Sequence, residues 1–230
     1  MSRVVVAISI SADGAVAMRF AETIAAALQH TTRRLHLADT TANDDVRAAD
    51  LADLLEQIDA SMLIFEVANR REIQPSLNAC RELRIPYLFV RAGNEPKFDK
   101  VALPVTFLQE EKEKGPFASA FGRFFHSKLT IFRPKDYGTR AAKNIDAMKS
   151  LFDSFSLDYE EVNARKGSDG VEREAALWAQ QNADMVIVSA SREYGLDDII
   201  FGSKERKILE KTTLPVLLVN PRGDLYALCD

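Results

Sequence analysis

Two cysteines, Cys80 and Cys229, are too few to build a disulfide framework. Three histidines, His30, His36 and His126, sit in separate segments at no metal-ligand spacing, so no metal site is expected. No run approaches 18 apolar residues, which argues against a membrane-spanning helix. The first residues, MSRVVVAISISADG, are apolar over too short a stretch for a signal-peptide core and cleavage site. Charge of one sign is also lacking. Residues 1–98 carry 11 basic and 13 acidic side chains, leaving 19 and 21 of the 30 and 34 for the remainder, and the net charge is −4. With no basic platform, nucleic acid is not an expected partner. The expectation is a reduced, cytoplasmic protein without membrane contact. Neither a Ser-His-Asp arrangement nor paired catalytic carboxylates can be argued from position.

What is present is organised around residues 183–220, ADMVIVSASREYGLDDIIFGSKERKILEKTTLPVLLVN. Met185 to Val188 is a short apolar run rich in β-branched residues, the pattern of a strand buried on both faces of a parallel sheet. A polar loop with Gly195 and Gly202 follows. Then comes a helical segment with Ile208 and Leu209 inward, and a second buried strand, Val216 to Val219, entered through Pro215. Strand, loop, helix and strand in this order make a βαβ unit. Gly202-Ser203 opens its helix at the carboxyl end of a strand, where open α/β sheets bind anions on free backbone N–H groups.

The rest of the chain repeats this grammar. Val4 to Ile8 reads as a strand, with Val16, Phe20, Ile24 and Ala27 forming the helix that covers it. Leu35 to Ala38 is a short strand, and Asn43-Asp44-Asp45 predicts the cap and acidic first turn of a helix through Leu54 and Leu55. Met62 to Phe65 is a buried strand. The following helix turns Ile73, Leu77 and Cys80 inward, and Tyr87 to Val90 is the next strand. Residues 92–99 have linker chemistry.

After them the order restarts. Val101 to Val105 is a strand, and Phe117, Phe121 and Phe124 mark a helix that Gly122 weakens. Leu129 to Phe132 is a strand; Ala141, Ile145, Met148, Phe152 and Phe155 form a long stripe; Tyr159 to Val162 is another strand. Asp169 with Glu172 predicts a capping box for a helix with Val171, Ala175 and Trp178 inward. The run Glu110 to Lys114 (EEKEK) reads as a solvated face. Asp197-Asp198 reads as part of an acidic loop.

These segments form an internal duplication with unequal offsets: Ala7 corresponds to Pro104, Met62 to Met185 and Pro86 to Pro215. The second copy therefore has extra chain before its fourth strand and in the loop that would hold phosphates. The first copy's loop, Glu66 to Arg71 (EVANRR), contains no glycine. A phosphate cradle needs backbone that approaches without a Cβ, so the first copy is read as ligand-free there.

In this architecture, at Gly202-Ser203 followed by a helix, and in Leu214-Pro215-Val216-Leu217-Leu218-Val219, the sequence resembles a tandem universal stress protein. The resemblance implies an α/β fold of two tandem flavodoxin-like domains, each a doubly wound parallel five-stranded sheet, the first abbreviated. Residues 1–95 and 96–222 would be the domains, and 223–230 a C-terminal tail. The nucleotide-binding branch carries Gly-x2-Gly-x9-Gly-(Ser/Thr) after the fourth strand and an Asp ending the first. Here Ser189 and Arg192 stand at the first two glycine positions, Thr106 at the Asp position of the second half, and Ser9 at that of the first.

The candidate phosphate-loop residues are thus Thr106, Ser189, Ser191, Arg192, Gly195, Gly202, Ser203 and Lys204. A long side chain at a close-approach position and a missing acceptor argue for lost tight ATP binding, with no cofactor expected. The reading is a non-enzymatic stress-response protein acting through unidentified protein partners. Its two edge strands would pair as an intrachain pseudo-dimer, with a homodimer as a further step. The alternative is a nucleotide- or anion-binding regulator using Arg192, Ser191, Lys204 and the helix N-terminus. A weak nucleotide hydrolase ranks last.

Overall fold

In the computed structural model, which describes residues 2–38, 44–136, 138–191 and 203–221, the continuous apolar runs become strands buried on both faces. In chain order the elements are β1 (Val4–Ser9), α1 (Ala15–Leu28), β2 (Thr31–Leu37), β3 (Asp45–Val46), α2 (Leu51–Gln57), β4 (Ala60–Glu66), α3 (Arg70–Cys80) and β5 (Tyr87–Val90). There follow β6 (Lys100–Pro104), α4 (Lys114–Phe125), β7 (Lys128–Arg133), α5 (Thr139–Ser154), β8 (Tyr159–Asn163), α6 (Ser168–Asn182), β9 (Met185–Ser189), α7 (Lys204–Lys211) and β10 (Val216–Val219).

Two compact units emerge: Met1–Pro96 together with Pro215–Asn220, and a second built on Lys97–Leu214. The first unit's sheet runs β3-β2-β1-β4-β5-β10. Its first five strands are parallel, and β10 lies antiparallel to β5, with Val216 opposite Phe89 and Leu218 opposite Tyr87. The second unit's sheet runs β9-β6-β7-β8, all parallel. This is the doubly wound α/β arrangement that continuous apolar strands separated by amphipathic helices require. The first unit is the shorter because the 16-residue α5 joins β7 to β8, whereas β3 follows β2 without room for such a helix.

Local packing departs from the sequence reading in several places. Asp45 begins strand β3 instead of capping a helix, and α2 starts only at Leu51. In α1 the inward face is Ala17, Phe20, Ala21, Ile24 and Ala25, small residues that let the helix lie close to the sheet. In α4 Phe121 is buried but Phe124 is 43% exposed; Phe125 takes the inward place, 4.8 Å from Phe98. Gly122 is a point of close approach there, since a Cβ would lie 2.9 Å from Leu157. On α5, Ala141, Ile145, Met148 and Phe152 are buried, while Phe155 is exposed beneath the Arg123 guanidinium.

The largest departure is in the EEKEK run. Glu111 and Lys114 are fully buried and paired at 2.7 Å, so this stretch is no solvated face. Glu172 likewise does not close a capping box. Gly167 is the N-cap of α6, Asp136 accepts from the Ser168 N–H at 2.7 Å, and Glu172 turns inward.

Candidate functional site

The carboxyl ends of parallel strands present backbone N–H groups and helix N-termini, and the second unit gathers there most of the residues singled out from sequence. Thr106 lies just beyond β6 and is buried. Its N–H donates to Glu111 Oε2 at 2.8 Å, its Oγ1 accepts from Leu108 N at 3.3 Å, and its carbonyl accepts from Asn144 Nδ2 at 3.0 Å. Ser189 ends β9 and is buried. Ser191 N–H donates to the Glu205 carboxylate. Ser203 is the N-cap of α7, and its Oγ accepts from Arg206 N at 3.3 Å, the cap role that serine fills well. Arg192, Gly195 and Gly202 lie outside the described residues, as do Asp197-Asp198 and the tail from Asp224 to Asp230.

Charged side chains fill this region, and of them only Lys204 is singled out by the sequence as a site residue. Lys204 Nζ lies 3.1 Å from Glu172. Lys114 Nζ, besides its bond to Glu111, donates to the Pro104 carbonyl. Glu205 is fully buried. Burial pushes the Glu172 carboxyl above its ordinary value, and Lys204 only partly offsets this. For Glu111 burial acts the same way, but the Lys114 ammonium and the Thr106 N–H outweigh it and hold the acid below its ordinary value of 4.5. Lys204 shows the converse: burial would lower it, yet Glu172, Glu111 and Glu205 together raise it. A cavity of about 420 Å³ opens beside this group, bordered by Thr106, Phe107, Leu108, Glu172, Lys204 and Ile208.

At the matching place in the first unit the described donors are neutral. Ser9, at the end of β1, is buried and donates to the Ala12 carbonyl at 2.8 Å. Glu66, the last residue of β4, accepts from Ala17 N at 3.0 Å in the first turn of α1, where the helix dipole favours a negative charge. Glu72 accepts from Ala68 N at 2.9 Å, from Asn69 Nδ2 at 2.8 Å and from the Ser11 hydroxyl. Gly14 caps α1 with φ +71°, a left-handed conformation that favours glycine. A signal for Glu66 did exist in the sequence: SMLIFE is an apolar strand closed by an acid at its carboxyl end.

Chemically, both sites hold carboxylates on the kinds of donor a bound phosphate would use. In the first unit these are N–H groups at a helix start. In the second they are the N–H groups of Thr106 and Ser191 and the ammonium of Lys204.

No protein-family model matches the sequence, and no curated protein does. Solved structures do match. A universal stress protein from Archaeoglobus fulgidus superposes with a TM-score of 0.65 at 12% identity, over 97% of this chain and 98% of its own. A putative universal stress protein from Pseudomonas aeruginosa gives a TM-score of 0.62 at 14% identity, over 96% of this chain and 94% of its own. A functionally unknown protein from Pseudomonas aeruginosa gives 0.60 at 12% identity, over 96% and 93%. The chain has the fold of these proteins.

Proposed function

We propose that this chain is a universal stress protein that acts as a non-enzymatic regulatory or scaffolding protein, without tight ATP binding, through contacts with other proteins. The observation that carries the reading is the use of internal carboxylates at both sets of strand ends. Glu66 and Glu72 in the first unit, and Glu111 and Glu205 in the second, take backbone N–H groups that a polyphosphate would need. A triphosphate entering either place would have to displace a buried, hydrogen-bonded carboxylate and would meet its negative charge in a weakly screened environment. Arginine at position 192 and serine at 189, where glycine permits close approach, act in the same direction. The same reading includes an intrachain pseudo-dimer, with association of two chains as a further step.

A second reading, anion or nucleotide binding by the second unit, is favoured by Lys204, Lys207 and Arg173 around the 420 Å³ cavity. A thermal-shift titration separates the two. A ligand at 100 times its dissociation constant stabilises the fold by about 2.7 kcal/mol. The melting temperature is expected to stay constant with millimolar ATP and magnesium, and a clear rise would defeat the leading reading. Replacing Ser189 and Arg192 together by glycine is then expected to create or increase the shift.

A further inference from the structure

Phe107 and Leu108, immediately after β6, are 42% and 36% exposed. They sit on an unusually constrained turn. Asn144 Nδ2 donates to the carbonyls of both Thr106 and Leu108, at 3.0 and 2.7 Å. Thr106 N–H is held by the buried Glu111 carboxylate, Lys114 fixes that carboxylate, and the Glu111 N–H returns to the Leu108 carbonyl at 3.3 Å. A fully buried ion pair and a buried asparagine are costly to desolvate. Here their product is a fixed backbone that presents two large apolar side chains to solvent.

The surroundings of this pair are cationic, although the chain as a whole is acidic. On one side lies the 420 Å³ cavity, with Arg173, Lys204 and Lys207 against Asp169 and Glu172. On the other lies a cavity of about 490 Å³ with Lys112, Arg140 and Lys143 and no carboxylate among its described lining residues. Phe107 and Leu108 border both. Each cavity also has an apolar lining residue, Ile208 in one and Ala147 in the other.

We infer that this ridge and its two flanking cavities form a docking surface for an acidic peptide segment of a partner protein that carries large apolar anchor residues. Anchors would pack beside Phe107 and Leu108, while the segment's carboxylates meet the cationic rims, whose described lining residues hold six cations to two acids. A fixed turn loses little entropy on binding, and a central apolar anchor within a polar rim is how interfaces concentrate affinity. Single-stranded nucleic acid fits less well: Phe107 is the one aromatic plane among the described lining residues, and Asp169 and Glu172 would face a phosphate chain. The proposal rests on reading the chain as a partner-binding protein, and adds where and by what chemistry it binds.

The test is selection of a random displayed peptide library against the full chain, followed by fluorescence anisotropy of the enriched peptide. The enriched sequences are expected to be acidic with one or two large apolar residues, and to bind more weakly as salt rises. The double variant Phe107→Ala with Leu108→Ala, and separately Arg140→Glu with Lys143→Glu, should each lose at least about tenfold in affinity at an unchanged melting temperature. Oligo(dT) should not displace the peptide. Failure to enrich any peptide, enrichment without acidic bias, undiminished binding to either variant, or displacement by oligo(dT) overturns the surface. The functional reading is tested apart from it. Peptide binding that ignores Phe107 while ATP leaves the melting temperature fixed overturns the surface alone, whereas an ATP-dependent rise with Phe107-dependent peptide binding overturns the functional reading alone.

Discussion

In the first unit the buried carboxylates at the strand ends, Glu66 and Glu72, are met by backbone N–H groups, a side-chain amide and a hydroxyl; in the second, Glu111 and Glu172 lie against the ammonium groups of Lys114 and Lys204. The difference lies in what balances the acids. Glu66 at the first turn of α1 is held by an N–H donor and the helix dipole, and Glu72 by the Ala68 N–H, the Asn69 amide and the Ser11 hydroxyl. In the second site Glu111, Glu172 and Glu205 all surround the Lys204 ammonium, and their charges favour its protonated form. The first unit therefore carries charge fixed by backbone. The second carries a network whose members depend on one another, beside open cavities that could accept something else.

That contrast can be broken most severely at Lys114. Replacing it with Ala leaves Glu111 buried without its cation, and the expected loss is about 3–5 kcal/mol in denaturant unfolding. A loss under about 1 kcal/mol would mean that Glu111 simply takes up a proton and the network is not interdependent.

The next test is acid. Because Glu111 is held below 4.5 in the folded chain, its stabilisation is fully present above that value and is lost as pH falls through the lower, folded value. Urea unfolding across acidic pH should show this limb. The variant Glu111→Gln should be less stable at neutral pH yet flatter in acid, by up to about 1.4 kcal/mol per pH unit, the slope contributed by one proton.

In the first unit the effects should be smaller. Glu66→Gln keeps an acceptor for Ala17 N–H but removes the charge at the helix start, at an expected cost of about 1 kcal/mol by thermal or urea unfolding. A cost matching that of Lys114→Ala would erase the distinction between the units. The smallest effect is expected at Gly14, where alanine must hold φ near +71° with its Cβ at 3.4 Å from Ser9 Oγ. About 1 kcal/mol is expected from that conformation, and a gain in stability would show that the left-handed cap relaxes freely.

Much of this fold was legible because strands buried on both faces read as unbroken apolar runs; Tyr87 to Val90 and Val216 to Val219 fall on the strands to the residue. The candidate site was legible only as a location. Ser203 as a cap, and Thr106 and Ser189 at neighbouring strand ends, follow from element order. The chemistry was not, because periodicity assigns a charged side chain to water by default. Glu111 and Lys114 share one face of a turn, and only the neighbouring β6 and α5 decide that this face is inside. Likewise Asp169 and Glu172 satisfy a capping pattern, yet Asp136 arrives from another element to take the N–H at that helix start.

The pairing of β5 with β10 carries a consequence for synthesis. Asn220 reaches back to the Cys80 carbonyl, 140 residues earlier, and accepts from the Tyr87 hydroxyl. A nascent chain must therefore wait with Tyr87–Val90 as a bare, sticky margin until β10, more than 120 residues later, leaves the ribosome. During that interval the half-made product is open to templating its own neighbours, and translation that stalls before Pro215 would leave a species prone to clump.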